Sequence, residues 1–235
     1  MKIEISPLEK GAEKAYGTAV IIDVFRAFSL EAWLFAKGAE KIYTIGNEAD
    51  AYALKEKYPQ AVLIGERHGK ILPGFDFGNS PSSLGCYDFS GKTILHTTTN
   101  GTQGIAAAAH AKHILVVSLV NAKATAAMAK SWQEDITIVP MGWEGRETEE
   151  DQLCADYLKA LLENRKFPDL KKQAEDLRYS EGKKFFDPKQ QDVFPEGDFA
   201  MCIEPDIFDF AMEVKQEGKW LVCRKKSISS SLFSS

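Results

Sequence analysis

The chain has 235 residues, 44% hydrophobic and 27% charged, with a formal net charge of −5. This is ordinary globular composition, long enough to bury a core without disulfides or a structural metal. The acidic balance argues against a nucleic-acid binder, which carries a basic face. Cys86, Cys154, Cys202 and Cys223 are scattered with no CxxC pair, so neither a zinc knuckle nor a redox dithiol is suggested. The amino-terminal stretch lacks an apolar signal core, and no run approaches the roughly 18 apolar residues of a membrane span. The expectation is a cytoplasmic protein with no membrane or nucleic-acid partner, free to form a homo-oligomer.

The apolar run from Ala19 to Val24 predicts a buried strand ending at Asp23. Residues 27–37 have helical spacing, closed by Gly38. A strand at 41–45, a helix at 48–58 and a strand at 61–64 follow. From Gly65 to Gly91 the sequence is rich in Gly, Pro, Ser and Asn, and reads as a long functional loop. Alternation resumes with strands at 93–97, 113–118 and 136–141 and helices at 104–111, 122–130 and 149–164. Beyond Lys166 the chain turns polar, with helical spacing at 170–177 and late strands at 199–203 and 220–223. Strand–helix alternation predicts an α/β fold. The sheet is mostly parallel or mixed, with helices on both faces. Residues 1–228 read as one domain, divisible near 165–166 into two subdomains, and 229–235 as a disordered tail.

Four segments carry chemistry, each at a strand end, where open α/β sheets collect their sites. Asp23 and Arg26 in DVFR pair a cation ligand with a guanidinium suited to phosphate. Glu66, Arg67, Asp76, Asn79 and Ser80 lie among glycines that let backbone N–H groups approach a ligand. Thr97 to Thr102, with Thr98, Thr99, Asn100 and Gly101 between, place hydroxyls, an amide and free N–H groups ahead of a helix, as an anion cradle does. Glu149, Glu150 and Asp151 open another helix, and Glu150 and Asp151 are further candidates for a hard cation. Asn121 ends an apolar run and is a candidate for the same crevice. His110 and His113 have no third ligand nearby and read as surface residues.

Together, IIDVFRAFS, the GER of Gly65 to Arg67, PGFDFGNSP, TTTNGT and EEDQLCA resemble the 2-phosphosulfolactate phosphatase family, over residues 21 to 155 and in that family's order. The resemblance implies Mg²⁺-dependent hydrolysis of 2-phosphosulfolactate to sulfolactate and phosphate, a step of coenzyme M synthesis in methanogens. It also implies a family-specific three-layer α/β/α architecture. On this reading Asp23, Arg26, Glu66 and Arg67 are catalytic candidates. Asn79, Ser80, Thr98 to Thr102 and Asn121 are substrate-binding candidates. Asp23, Glu66, Asp76, Glu150 and Asp151 are metal candidates.

Other routes are limited by what the sequence lacks. There is no P-loop, no Cys with an Arg six positions on, and no acid two residues after Asp23. Arg67, His68 and Gly69 spell the RHG of a histidine phosphatase, which needs a second His in the site. A small-anion-binding protein without turnover is the other alternative, and carboxylates among the glycines disfavour it.

Overall fold

The computed structural model describes residues 1–98 and 101–228. Thr99, Asn100 and the tail at 229–235 lie outside the described residues. Ten strands form one sheet: β1 (Ile3–Ile5), β2 (Thr18–Ile22), β3 (Lys41–Thr44), β4 (Val62–Arg67), β5 (Lys70–Ile71), β6 (Thr93–Thr97), β7 (His113–Val117), β8 (Ile136–Pro140), β9 (Phe210–Glu217) and β10 (Trp220–Ser227). Their order across it is β1-β8-β2-β7-β9-β10-β3-β6-β4-β5. One parallel group contains β1, β8, β2 and β7, and another contains β3, β6 and β4. The antiparallel hairpin β9–β10 joins them, pairing with β7 on one side and β3 on the other.

The helices are α1 (Leu8–Ala12), α2 (Ala27–Ala36), α3 (Glu48–Lys57), α4 (Gly101–Ala107), α5 (Ala122–Ser131), α6 (Glu149–Leu162), α7 (Leu170–Asp176) and α8 (Glu196–Ile203). Strand alternation sends Ala19 and Ile21 of β2 into the cluster with α2, and Val20 and Ile22 into the cluster with α5, α6 and α8. This is a three-layer arrangement. Helix α2 is buried on nearly every side, and its cluster takes Ile21 and Val116 from one parallel group and Ile42, Val62, Ile64 and Ile94 from the other. A helix apolar all round belongs in the interior. The sheet therefore curls about α2, helped by a twist of about 20–25° between neighbouring strands. In a flat sheet the oppositely directed groups would point their carboxyl ends apart. Curling brings them together at the start of α2.

Three expectations need correction. Residues 199–203 are not a strand: they finish α8, which has Pro195 at its cap and Glu196 and Asp198 in its first turn. The apolar run there is a buried helix face. The stretch from Gly65 to Gly91 is not all loop, because β4 runs on to Arg67 and turns back as β5, with a 3₁₀ turn at Ser82–Leu84. Strands β1 and β9 were not anticipated. Helix α4 also begins at Gly101, earlier than 104. Among the described residues no helix is long and apolar enough to cross a membrane.

Candidate active site

Asp23 directly follows β2, and Glu66 lies near the end of β4. Thr98 follows β6 and Gly142 lies just beyond β8. These carboxyl ends line one pocket, closed by Phe25, Arg26, Gly69, Asn79, Trp143, Lys184 and Phe194. Five expected site residues thus meet: Asp23, Arg26, Glu66, Asn79 and Thr98. All five are buried.

Local backbone fixes each acid. Asp23 Oδ1 accepts the Ala27 N–H at 3.0 Å, the first turn of α2. Glu66 Oε2 accepts the Gly69 N–H at 2.6 Å across the β4–β5 turn. Gly101 lies against the other Asp23 oxygen: a Cβ there would stand 3.2 Å from Oδ2. Burial, and then the negative field of Glu66, push the Asp23 carboxyl up to about 6, against the pull of the Ala27 N–H. The amide oxygen of Asn79 is buried with no hydrogen-bond partner.

Arg26 is anchored from behind. Its Nη1 donates to Asp198 Oδ2 at 2.5 Å, and both side chains are buried. The other Asp198 oxygen accepts from Ser80 Oγ at 2.8 Å, Ser82 N at 2.9 Å and Ser82 Oγ at 2.6 Å. The guanidinium also lies 4.9 Å from the Phe194 ring centroid. Ser80 therefore supports Arg26 through Asp198 and does not line the pocket.

The remaining candidates stand outside. Arg67 donates to the Glu66 carbonyl at 2.7 Å and to Thr97 Oγ1 at 3.0 Å, tying β4 to β6. Asp76 is exposed and accepts the Leu63 N–H at 2.8 Å, so it braces its own loop. Asn121 is buried at the start of α5, where its amide bonds Ser118 N and reaches Thr125 and Phe210, a structural setting. Thr102 folds back on Thr98. Thr99 and Asn100 lie outside the described residues.

Asp151 accepts N–H groups from Val24 and Gly142, each at 2.8 Å, and so binds the ends of β2 and β8 together. Gly142 needs its freedom there: its φ is +61°, and a Cβ would meet the Arg146 carbonyl at 2.0 Å. Burial dominates at Glu150, pushing it up to about 7, while Lys184 opposes. Burial and the Glu150 charge raise Asp151 as well.

The five-acid metal set does not assemble. Among the described residues no group of three or more His, Cys, Asp or Glu side chains is placed to hold a metal ion. What the pocket does offer a hard cation is smaller: two carboxylates, Asp23 and Glu66, beside the unpartnered Asn79 oxygen. A set of two or three oxygens completed by water suits Mg²⁺, and a cation there would answer both the raised Asp23 carboxyl and the unmet amide oxygen.

The RHG motif also dissolves. His68 is exposed and its Nδ1 pairs with Glu144 at 2.8 Å. His96 is buried against Glu31. His113 opens β7, opposite Thr18 at the start of β2, and so lies at the far end of that group from Asp23. Among the described residues, neither His68 nor any other His lines the pocket.

Sequence reasoning missed Lys184, Trp143, Phe194 and Asp198. None sits in a motif with periodic or compositional signal.

A family model for 2-phosphosulpholactate phosphatase matches residues 5–217. Among curated proteins, the chain is 33% identical to a probable 2-phosphosulfolactate phosphatase of Bacillus subtilis over 85% of this chain and 88% of that relative. It is 38% identical to one of Carboxydothermus hydrogenoformans, over 74% and 73%. It is also 38% identical to one of Parasynechococcus marenigrum, over 67% and 66%. With the α/β fold and its strand-end pocket, these likenesses place the chain among the phosphoric monoester hydrolases. It belongs to the 2-phosphosulfolactate phosphatase family.

Proposed function

We propose that this pocket hydrolyses 2-phosphosulfolactate to 3-sulfolactate and phosphate, with Mg²⁺ held by Asp23, Glu66 and the amide oxygen of Asn79. The observation that carries the reading is the meeting of Asp23, Glu66, Asn79, Arg26 and Thr98 from three separate chain segments in one buried pocket. When bound, the cation supplies neutralisation of phosphoryl charge and a fixed place for water.

The chain's own residues do the rest. Arg26 is pre-aligned by Asp198, so its remaining donors meet phosphoryl oxygens with little ordering cost. Thr98 adds a hydroxyl. Phe25, Trp143 and Phe194 keep bulk water from the reacting ester and strengthen each charge contact. Asp23, fixed by the Ala27 N–H, aligns the attacking water.

The test is phosphate release from 2-phosphosulfolactate with Mg²⁺ and after chelation. Release with Mg²⁺ that stops in chelator and returns on adding the metal back is expected. No release with Mg²⁺ would overturn the substrate, and full release in chelator the cation. His68→Ala separates out the histidine route: turnover close to wild type is expected, since His68 is exposed against Glu144 and does not line the pocket.

A further inference from the structure

The proposed chemistry leaves one pocket group without work. Lys184 sits in the 3₁₀ segment Glu181–Phe186 and lines the same pocket as the acids. Its ammonium stands 4.8 Å from the Trp143 ring centroid, 5.4 Å from that of Phe194, 5.6 Å from Phe25 and 5.7 Å from Phe185. No carboxylate among the described residues forms an ion pair with it. Glu181, three residues before it, is drawn off by Arg146 through two hydrogen bonds of 2.5 and 2.8 Å. Glu150, Glu181 and Asp23 act on it only through space. The pocket's other cation differs, because Arg26 already has Asp198 as its counter-ion.

A half-buried ammonium walled by aromatic faces carries a desolvation cost that ring attraction offsets only in part. An anion entering from solution would supply the remainder. A single ammonium matches a singly charged group and offers three donors to its oxygens. The phosphoryl group carries nearly two charges and is served by the Arg26 fork and Thr98.

We propose that Lys184, flanked by Trp143 and Phe194, is the subsite for the second anion of an acidic phosphate ester, its sulfonate or its carboxylate. This rests on the pocket being a phosphate-ester site, and it makes Lys184 the residue that separates acidic esters from neutral ones.

The test compares wild type, Lys184→Met and Lys184→Arg in the full chain with Mg²⁺. The substrates are 2-phosphosulfolactate, phospholactate (carboxylate but no sulfonate) and glycerol 1-phosphate (neither). Lys184→Met is expected to raise KM for 2-phosphosulfolactate about tenfold to a hundredfold, the range for losing a charged hydrogen bond. Its preference for that ester over glycerol 1-phosphate should fall by the same factor, and Lys184→Arg should recover most of it. If phospholactate loses equally, the carboxylate is the group held; if it does not, the sulfonate is.

An unchanged preference ratio would overturn the proposal, whether all esters suffer alike or none does. Calorimetry with sulfolactate and with inorganic phosphate needs no turnover. Lys184→Met should weaken sulfolactate binding at least tenfold more than phosphate binding, and equal weakening or none would overturn the subsite. Failure of wild type to hydrolyse 2-phosphosulfolactate would instead count against the proposed reaction, leaving the binding comparison to judge Lys184.

Discussion

Arg26 illustrates how a side chain becomes dependable. Its charge is buried, so it persists only because Asp198 meets it, and Asp198 in turn satisfies Ser80 and Ser82. Removing the acid strands the guanidinium. Asp198→Ala is expected to cost about 3–5 kcal/mol of stability, the penalty for an uncompensated buried charge, and to raise KM as Arg26 loses its aim. Urea denaturation and steady-state kinetics check the two parts. Asp76 gives the contrast. It belongs to the same glycine-rich stretch as Asn79, yet its carboxylate faces solvent and braces Leu63. Asp76→Ala should leave kcat within about twofold and cost about 1 kcal/mol for one hydrogen bond. Motif membership made both residues legible as candidates. Only packing separates them, because neighbouring loop residues point to different sides.

At the scale of elements, the ends of β2 and β8 and the start of α6 crowd Asp23, Glu150 and Asp151 together, and burial raises all three. A carboxyl raised on folding binds its proton more tightly in the folded state. Each such group therefore favours folding below its ordinary value and withdraws that support as pH climbs through its folded value. For Asp23 the window runs from about 4 to about 6. In metal-free protein, Asp23→Asn should melt higher than wild type at pH 7.5, and the gap should shrink towards pH 5; calorimetry across this range checks it. Turnover by the same variant should fall at least a hundredfold, as expected for a residue at the reacting centre.

The elements bearing these acids were readable beforehand. The apolar run before Asp23 and the acidic first turn of α6 have strong local signals. Helix α8 was not, because the short apolar stretch from Phe199 to Ile203 suits either a buried strand or one face of a helix. Lys184, Trp143 and Phe194 escaped for a related reason. They lie in turns and 3₁₀ segments whose place beside the pocket is set by long-range packing.

The whole molecule depends on a sheet that closes late in the chain. The β9–β10 hairpin lies between the two parallel groups, with β7 bonded to one side of it and β3 to the other. Sequence periodicity indicated alternating strands and helices but could not place a hairpin at the sheet's centre, since pairing order is non-local. A chain ending before Phe210 would leave β7 and β3 with open edges and remove Phe210, Ala211, Met212, Val214, Val222 and Cys223 from the core. It should show no cooperative melting transition by circular dichroism.

The same arrangement sets an order on biosynthesis. Every strand of both parallel groups leaves the ribosome before the hairpin that joins them. Until then Asp23 with its group and Glu66 with its own have no bridging strands between them, and each group offers an unpaired border to other nascent chains. Activity would thus arrive in one step rather than accumulate during elongation, and a ribosome stalled before the hairpin would display a chain in need of a chaperone.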